Sequence, residues 1–256
     1  MRFLKLHIRY DGTDFAGWQA QDDQPTVQVA LEQAWAAVTQ ESVRILASGR
    51  TDAGVHALCQ VCGVRTETRR DEATLLKALN AHLPETIVAL SVEPAPEGFH
   101  PIRDSLRKRY RYVIDDGRPP NPFLRKYAWQ WPRGRLDDAA MALAAKHLVG
   151  KHDFAAFEAT GAPRSTTIRT VSDLSLGRVT GDYGETLRIE IESDGFLYNM
   201  VRNIVGSLVE VGRGAQPPEW IGHVRDSRDR KNAGPTAPPQ GLFLVRVEYG
   251  PPSSSA

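Results

Sequence analysis

Residue types that could do chemistry are concentrated in one short stretch of this chain. Residues 48–57 read SGRTDAGVHA, in which Asp52 is separated by a single residue from Arg50, between Gly49 and Gly54. The two glycines permit backbone angles or close approaches that a side chain would block, so the segment can be held tightly against a ligand. Beside a permanently charged arginine, Asp52 is expected to stay ionised, which suits a nucleophile or an electrostatic stabiliser better than a general acid. A loop that Arg50 and Asp52 merely cap is the alternative that these ten residues leave open.

Size and composition indicate an ordinary globular protein. The chain has 256 residues, of which 41% are hydrophobic and 25% charged, and this length favours two small domains over one large one. No apolar run is long enough to cross a bilayer. The first ten residues, MRFLKLHIRY, alternate as a strand does and lack the apolar core and cleavage site of a signal peptide. The sequence therefore predicts a cytoplasmic protein.

Positive charge is unevenly distributed along the chain. The net charge is only +1, but residues 101–135 contain ten Lys or Arg against three Asp. The aromatic residues interleaved with them are Tyr110, Tyr112, Phe123, Tyr127, Trp129 and Trp131. Cations for phosphates together with aromatic faces for unstacked bases are typical of RNA recognition. A solvated strand face with buried aromatics is the alternative interpretation of this segment.

The two cysteines form a Cys-x-x-Cys pair, Cys59 and Cys62. A redox pair normally opens a helix, whereas residues 55–66 have the pattern of a strand. A zinc site would need two further ligands at a matching spacing, and the sequence contains no second pair. Both cysteines are predicted to be small buried residues of a strand.

Hydrophobic periodicity predicts a strand and helix alternation in the first hundred residues. An opening strand ends at the turn-forming Asp11-Gly12, Thr26 caps a helix, and a strand covers residues 55–66. Asp71 begins a second helix that Pro84 ends, and residues 87–92 form the next strand.

The second half of the chain repeats the alternation. Strands are predicted at residues 110–114, 168–176, 187–193 and 242–249, and helices at residues 136–148 and 199–211. Short connections, and strands that are polar on one face, favour antiparallel or mixed sheets backed by helices.

Five ordered stretches together resemble the TruA family of tRNA pseudouridine synthases along nearly the whole chain. They are YDGT with GWQ (10–13 and 17–19), GRTDAGVHA (49–57), RYRY (109–112), FLYNMVRNIVG (196–206), and AGPTAP before GL (233–238 and 241–242). The resemblance implies an α+β pseudouridine synthase fold, in which two ferredoxin-like or RRM-like subdomains form a mostly antiparallel mixed sheet flanked by helices. It places the subdomains at residues 1–105, with the aspartate loop, and 106–250, followed by a disordered tail at 251–256.

The same resemblance implies an activity. We expect a cytoplasmic isomerase that converts uridine to pseudouridine in the anticodon stem-loop of tRNA, at tRNA positions 38, 39 and 40. Neither a cofactor nor a metal is expected, and no membrane. The family is homodimeric, with a tRNA lying across both subunits, so a homodimer is expected here.

Five residues match the family's site by motif position. Asp52 matches the essential aspartate, which could add to ribose C1′, attack the base, or act through a glycal-like intermediate. Arg50 is expected to orient Asp52 and the flipped nucleotide, and Arg202 to pair with the carboxylate or a phosphate. Tyr110 matches the aromatic that stacks on the target base, and its hydroxyl could take part in proton transfer at C5. Leu242 matches an apolar wall of the pocket.

Two functions of other classes are alternatives. A non-catalytic tRNA-binding protein or RNA chaperone would keep the groove without the chemistry, although the presence of Asp52 with both arginines argues against it. A nucleoside-cleaving glycosidase would release free uracil instead of rejoining it. The chain also departs from the common family pattern at residues 99–103, FHPIR, and carries Glu158 where many relatives have a cation, which bears on peripheral tRNA contacts.

Overall fold

A computed structural model describes residues 1–161 and 166–250. Within these residues it contains ten strands: β1 (Arg2–Tyr10), β2 (Leu46–Ala47), β3 (His56–Thr66), β4 (Ile87–Ala95), β5 (Ser105–Asp115), β6 (Trp129–Gln130), β7 (Gly150–Asp153), β8 (Ile168–Gly181), β9 (Gly184–Ser193) and β10 (Leu242–Tyr249). The α-helices there are α1 (Val27–Thr39), α2 (Glu72–His82), α3 (Asp138–Ala145), α4 (Met200–Gly212) and α5 (Trp220–Ser227). The predicted tail, 251–256, lies outside the described residues.

The chain divides into two compact units. The first joins Met1–Leu106 to the segment that begins at Phe243, and the second is Arg107–Leu242. The C-terminal strand therefore packs with the N-terminal unit, whereas the sequence-based subdomain at 106–250 includes it. The subdomain boundaries taken from the sequence, 1–105 and 106–250, remain a prediction.

The sheet of the first unit has the strand order β4-β1-β3-β10, and the short β2 pairs with β3. Strand β1 is antiparallel to both of its neighbours, while β10 runs parallel to β3, with Phe243 opposite His56. The inward side chains of β1, Leu4, Leu6 and Ile8, are fully buried, as their alternation predicts.

Two capped helices cover this sheet. The side chain of Thr26 accepts a hydrogen bond from the Val29 amide at the start of α1, and that of Asp71 accepts one from the Thr74 amide at the start of α2. Both caps match the sequence predictions. The buried face of α1 includes Trp35, a large fully buried side chain of this unit.

The sheet of the second unit has the order β5-β9-β8-β7, all antiparallel, and the short β6 runs parallel to β5. The register of β5 places Tyr110 opposite Ile191 and Tyr112 opposite Ile189. In both units the sheets are mostly antiparallel and flanked by helices, which confirms the predicted α+β class.

Helix α4 is buried along nearly its whole length. Such burial needs a close-fitting neighbour, and residues 233–238 provide it. A Cβ built on Gly206 would lie only 1.7 Å from the carbonyl oxygen of Pro235. Only glycine permits the backbone to approach the helix this closely.

Several element ends differ from the sequence predictions. The helix expected at 136–148 begins later, as α3, because the side chain of Asp137 caps it by accepting from the Ala140 amide. It ends in a 3-10 turn at Lys146–Leu148. Helix α4 begins at Met200, since Asn199 has a left-handed φ of 58°. Helix α5 was not predicted, and β8 continues to Gly181 instead of ending at residue 176.

We expect Gly206→Ala to lower the free energy of unfolding by about 3 kcal/mol or more, because the added methyl group would overlap a backbone carbonyl. Chemical denaturation followed by tryptophan fluorescence measures the difference.

Gly177→Ala on β8 is the matched control. Nothing in the described part of the chain lies within 4 Å of its Cβ position, so the change should stay within about 0.5 kcal/mol. Equal stability of Gly206→Ala and the parent protein would contradict the close approach.

Candidate active site

The loop between β2 and β3 is fixed to the sheet at its first residues. Ser48 is fully buried, and its hydroxyl donates to Oε1 of Gln60 at 2.6 Å. The side-chain amide of Gln60 donates in turn to the carbonyl oxygen of Gly49 at 2.8 Å. The Ser48 amide also donates to the carbonyl of Val61. The loop therefore leaves the sheet in a defined direction.

Thr51 is the buried anchor at the middle of this loop. Its hydroxyl lies 2.8 Å from that of Tyr10, and its carbonyl oxygen accepts a hydrogen bond from the Trp18 amide at 3.0 Å. Tyr10 and Trp18 are both 2% exposed. One segment, residues 10–18, thus holds both the side chain and the backbone of Thr51.

Two glycines let that segment approach the loop backbone. A Cβ on Gly17, whose φ is +96°, would lie 2.6 Å from the Thr51 carbonyl oxygen, and one on Gly12 would lie 2.0 Å from that of Val55. A turn closes the loop, because the Val55 amide donates to the carbonyl of Asp52 at 3.1 Å. Any side chain at either glycine would displace the residue pair that flanks Asp52.

His56 anchors the end of the loop. The Gly12 amide donates to its Nδ1 at 3.0 Å, and Oδ1 of Asp11 lies 3.1 Å from the same nitrogen. The His56 ring stacks on Phe243 with centroids 4.7 Å apart. His56 is 1% exposed, so it is a structural part of the loop.

Asp52 and Arg50 project from this fixed backbone. Asp52 is half-buried and Arg50 is exposed. The turn holds the Cα of Asp52 between anchored residues on both sides, so its carboxylate is presented from a rigid position. Rigid presentation of a charge is what electrostatic or nucleophilic catalysis requires.

Tyr110, in the second unit, is packed on β5. It is 7% exposed, and its ring meets that of Phe196 edge to face, with centroids 5.0 Å apart. Phe196 belongs to the segment that leads from β9 into α4. This T-shaped contact fixes the plane of the Tyr110 ring.

Arg202, in the first turn of α4, is held by the loop that presses on the helix. Its Nε donates to the carbonyl oxygen of Ala237 at 2.7 Å, and Nη1 donates to Oδ1 of Asn199 at 2.9 Å. The Ala237 amide donates back to the Arg202 carbonyl at 3.1 Å. The Ala237 carbonyl oxygen and the Asn199 side-chain amide oxygen therefore orient the guanidinium.

Asn203 joins the loop at residues 233–238 to helix α4 through buried hydrogen bonds. It is fully buried, and its amide nitrogen donates to the Phe157 carbonyl at 2.8 Å. Its Oδ1 accepts from the Thr236 hydroxyl at 2.7 Å and from Nη2 of Arg230 at 3.0 Å. Asn203 and Thr236 lie within the motifs of the family resemblance but had no predicted role, since the hydrogen bond between them joins positions 33 residues apart.

Leu242 follows the end of this loop. It is 6% exposed, and the preceding Gly241 approaches the ring of Tyr112, whose Cζ would lie 2.7 Å from a Cβ there. The Tyr112 hydroxyl donates to the Pro238 carbonyl at 2.7 Å. Burial raises the pKa of Tyr112 well above its ordinary value, although the nearby charge of Arg202 acts in the opposite direction.

The candidate residues are thus distributed over both units. Arg50 and Asp52 lie in the first, and Tyr110, Arg202 and Leu242 in the second. The residues that anchor each unit had no predicted role, although glycines and aromatics recurring in the motifs were a signal of close packing. These residues are Tyr10, Gly12, Gly17, Trp18, His56, Asn203, Gly206 and Thr236.

Much of the basic segment's charge is neutralised within the second unit. Arg109 contacts Asp173 at 2.8 Å and Glu192 at 3.1 Å, and Arg111 contacts Glu190 at 2.6 Å. Tyr112 and Trp131 are buried. The aromatic Tyr112 of β5 is therefore buried, as the solvated-face alternative predicts, but the arginines of that face are paired with carboxylates.

Both cysteines lie on a strand, as predicted, but only Cys62 is buried as predicted. Both are free and lie on β3, Cys62 fully buried and Cys59 half-buried. Burial raises the pKa of each thiol, which opposes the thiolate form that redox chemistry needs.

Residues 1–161 and 166–250 contain neither a helix long and apolar enough to span a membrane nor a group of three or more His, Cys, Asp or Glu arranged to hold a metal ion.

Comparison with known proteins gives a consistent result. A family model described as tRNA pseudouridine synthase matches residues 7–102 and 144–250. A "tRNA pseudouridine synthase A" of Chloroflexus aurantiacus is 47% identical over 251 residues, covering 98% of this chain and 90% of the relative. Proteins of the same name from Thermoanaerobacter sp. and Geobacter sulfurreducens are 42% and 43% identical, each over 97% of this chain and 100% of the relative.

Thr236→Val should lower the free energy of unfolding by about 1 kcal/mol, because it removes the hydroxyl shared by Asn203 and Arg230 while keeping the side-chain shape. Chemical denaturation measures this.

The matched control is Thr180→Val at an exposed position on β8, which should change stability by less than about 0.5 kcal/mol. Similar losses in the two variants would mean that the hydrogen bonds of the Thr236 hydroxyl to Asn203 and Arg230 contribute nothing specific.

Thiol reactivity should follow burial. At about pH 8.5, where an ordinary thiol is half ionised, Cys62 should resist iodoacetamide in the folded protein and Cys59 should react more slowly than a model peptide. The raised pKa of each leaves less thiolate. Mass spectrometry of digested protein gives both rates, and rapid alkylation of Cys62 before unfolding would contradict the burial.

Proposed function

This chain belongs to the tRNA pseudouridine synthase family, and we propose that Asp52 is the residue with which it isomerises uridine to pseudouridine. The proposed substrates are uridines of the tRNA anticodon stem-loop, at tRNA positions 38, 39 and 40. As a member of this family the chain is an isomerase.

The observation that supports this role is the fixed backbone around Asp52. Thr51 on one side is held by Tyr10 and Trp18, and Val55 on the other closes the turn on the Asp52 carbonyl. A carboxylate that merely capped a surface loop would not need two glycine-dependent backbone contacts at its flanks. Preorganisation of this kind stabilises charge without rearrangement during the reaction.

The reaction places a specific demand on that carboxylate. The bond from N1 of uracil to ribose C1′ breaks, the base turns, and a bond from C5 to C1′ forms. The C5 proton is lost and N1 gains one, so the mass does not change. Positive charge that develops at C1′ is stabilised by a nearby carboxylate, as in glycoside chemistry. Addition to C1′, attack on the base and a glycal-like route all remain open to Asp52.

The other candidate residues bind and orient the substrate in this proposal. Arg50, exposed on the same loop, orients the carboxylate and the flipped nucleotide. Arg202, whose guanidinium is aimed by backbone carbonyl and amide oxygens, pairs with an anion, either a phosphate or the carboxylate. Tyr110 stacks on the target base, and its hydroxyl is a candidate for proton transfer at C5. Leu242 supplies an apolar wall.

The target nucleotide must leave its stack before it can react. Extruding a base costs a few kcal/mol, about the contribution of one or two stacking contacts, and costs least in a loop. A rigid aromatic such as Tyr110 offsets part of this cost. Recognition by stem-loop shape and phosphate contacts then decides which uridines reach Asp52.

The proposal includes two properties carried over from the family resemblance. The chain acts as a homodimer, and it acts in the cytoplasm. Light scattering coupled to size-exclusion chromatography gives the oligomeric state directly, and a monomeric, active enzyme would remove the dimer from the proposal.

Asp52→Asn should abolish turnover while preserving tRNA binding, because it removes the negative charge and keeps the side-chain shape. The measurement is tritium release from tRNA labelled at uridine C5, on substrates with one target uridine each. We expect a fall in rate of at least about 10³-fold, the scale of losing a catalytic group.

Asp22→Asn, at an exposed acidic position in the same unit, is the control and should leave the rate unchanged. Near-normal release by Asp52→Asn would remove Asp52 from its role. Appearance of free uracil with the parent protein would instead indicate a glycosidase, and tight binding without release an RNA chaperone.

A further inference from the structure

Two aromatic rings lie side by side on the surface of the second unit. Phe123 is 68% exposed and Tyr183 is 59% exposed, with ring centroids 5.7 Å apart and planes tilted by 35°. We call this pair the aromatic patch. Tyr112 and Trp131 of the same unit are buried, and Tyr127 and Tyr198 are less exposed, at 40% each. Two large rings kept together in water are unusual for a surface without a binding role.

Asn121 holds the aromatic patch together. Its side-chain amide donates to the Tyr183 carbonyl, and its Oδ1 accepts from the Phe123 amide at 2.9 Å. Its backbone amide donates to the buried Asp115 at 3.0 Å, and its carbonyl accepts from Gln130 at 2.6 Å. The patch is therefore built onto the end of β5 and is not a chance collision of mobile side chains.

The surroundings of the aromatic patch are cationic. Residues 117–135 carry five Lys or Arg and no acid, and residues 181–185 carry two acids, of which Glu185 pairs with Arg135 at 2.9 Å. Arg118 donates to the Pro132 carbonyl and Arg125 to the Pro122 carbonyl, so these contacts leave their charges in place. Arg109 and Arg111, in contrast, are paired with carboxylates farther along β5.

We propose that the aromatic patch and the cations around it bind an unpaired part of the tRNA substrate at a distance from the reacting nucleotide. Base stacking on exposed aromatics beside phosphate-binding cations is how proteins hold unpaired RNA. A second copy of the chain fits less well, because a two-fold interface would set the same cations against one another.

The position of the aromatic patch separates it from the candidate base-stacking residue. Tyr183 lies in the turn between β8 and β9, whereas Tyr110 pairs with Ile191 on β9. Eight residues of extended strand separate Ile191 from Tyr183, a distance of about 25 Å. An RNA that contacts both Tyr110 and the aromatic patch must therefore extend several nucleotides beyond the reacting nucleotide.

This inference rests on the proposed function, and two substrates separate them. One is a full-length tRNA transcript, and the other is its isolated anticodon stem-loop. In the double variant Phe123→Ala with Tyr183→Ala, KM for the full-length tRNA should rise about tenfold. The kcat for both substrates should stay unchanged, because the patch does not touch the reacting nucleotide. KM for the stem-loop should also stay unchanged, because the inferred contact is with an unpaired part of the tRNA outside the anticodon stem-loop.

Two further variants test the chemistry of the aromatic patch. Phe123→Leu with Tyr183→Leu keeps apolar area but removes the rings, and it should lose as much as the alanine pair if bases stack there. Arg125→Gln should reduce the slope of log binding constant against log salt concentration by about one unit. Leu143→Ala, at an exposed apolar position on α3, is the control and should change neither quantity.

Three outcomes would overturn the inference: an unchanged KM for full-length tRNA, an equal rise for both substrates, or a changed oligomeric state in the alanine pair, which would make the patch a protein interface. If the parent protein isomerised neither substrate, the proposed function would fail. The dissociation constants of the same two RNAs would then still decide whether the aromatic patch binds RNA.

Discussion

The packing of residues 10–18 against the aspartate loop is the constraint on which the first unit depends. The Trp18 amide and the Tyr10 hydroxyl both bond to Thr51, and Gly12 and Gly17 bring the two backbones closer than any side chain would allow. Because this neighbouring segment contacts Thr51 and Val55, it fixes the position of the backbone around Asp52. Three elements hold that segment in place: strand β1, the helix cap at Thr26 and the parallel strand β10.

The second unit uses the same physical solution. Residues 233–238 lie against α4 at Gly206, and buried polar groups of Asn203 join the two. The result is a rigid carbonyl at Ala237 that orients Arg202. In both units a glycine removes the steric barrier and a buried hydrogen bond supplies the specificity, since an unpaired polar group in such a place would be strongly destabilising.

Whether an arginine of the basic segment is neutralised depends on the residues of the adjacent strand more than on its position in the chain. Arg109 and Arg111 face Glu192 and Glu190 of the adjacent strand and contribute mainly to the sheet. Arg118 and Arg125, on the connection after β5, contact backbone carbonyl oxygens and keep their charges. A single basic segment is thereby divided into a structural half and a half suited to binding a polyanion.

Sequence patterns by themselves determined the α+β class, the alternation in β1, the caps at Thr26 and Asp71, the strand position of both cysteines, and the family. These depend on local periodicity, capping chemistry and ordered motifs, which a linear chain displays. Tertiary structure decided that β10 packs with the first unit, that α4 starts after a left-handed Asn199, and that Thr51 and Asn203 are the anchors. Those features depend on contacts between residues far apart in the chain, such as Tyr10 with Thr51 and Asn203 with Thr236, and no local pattern encodes which distant groups will meet.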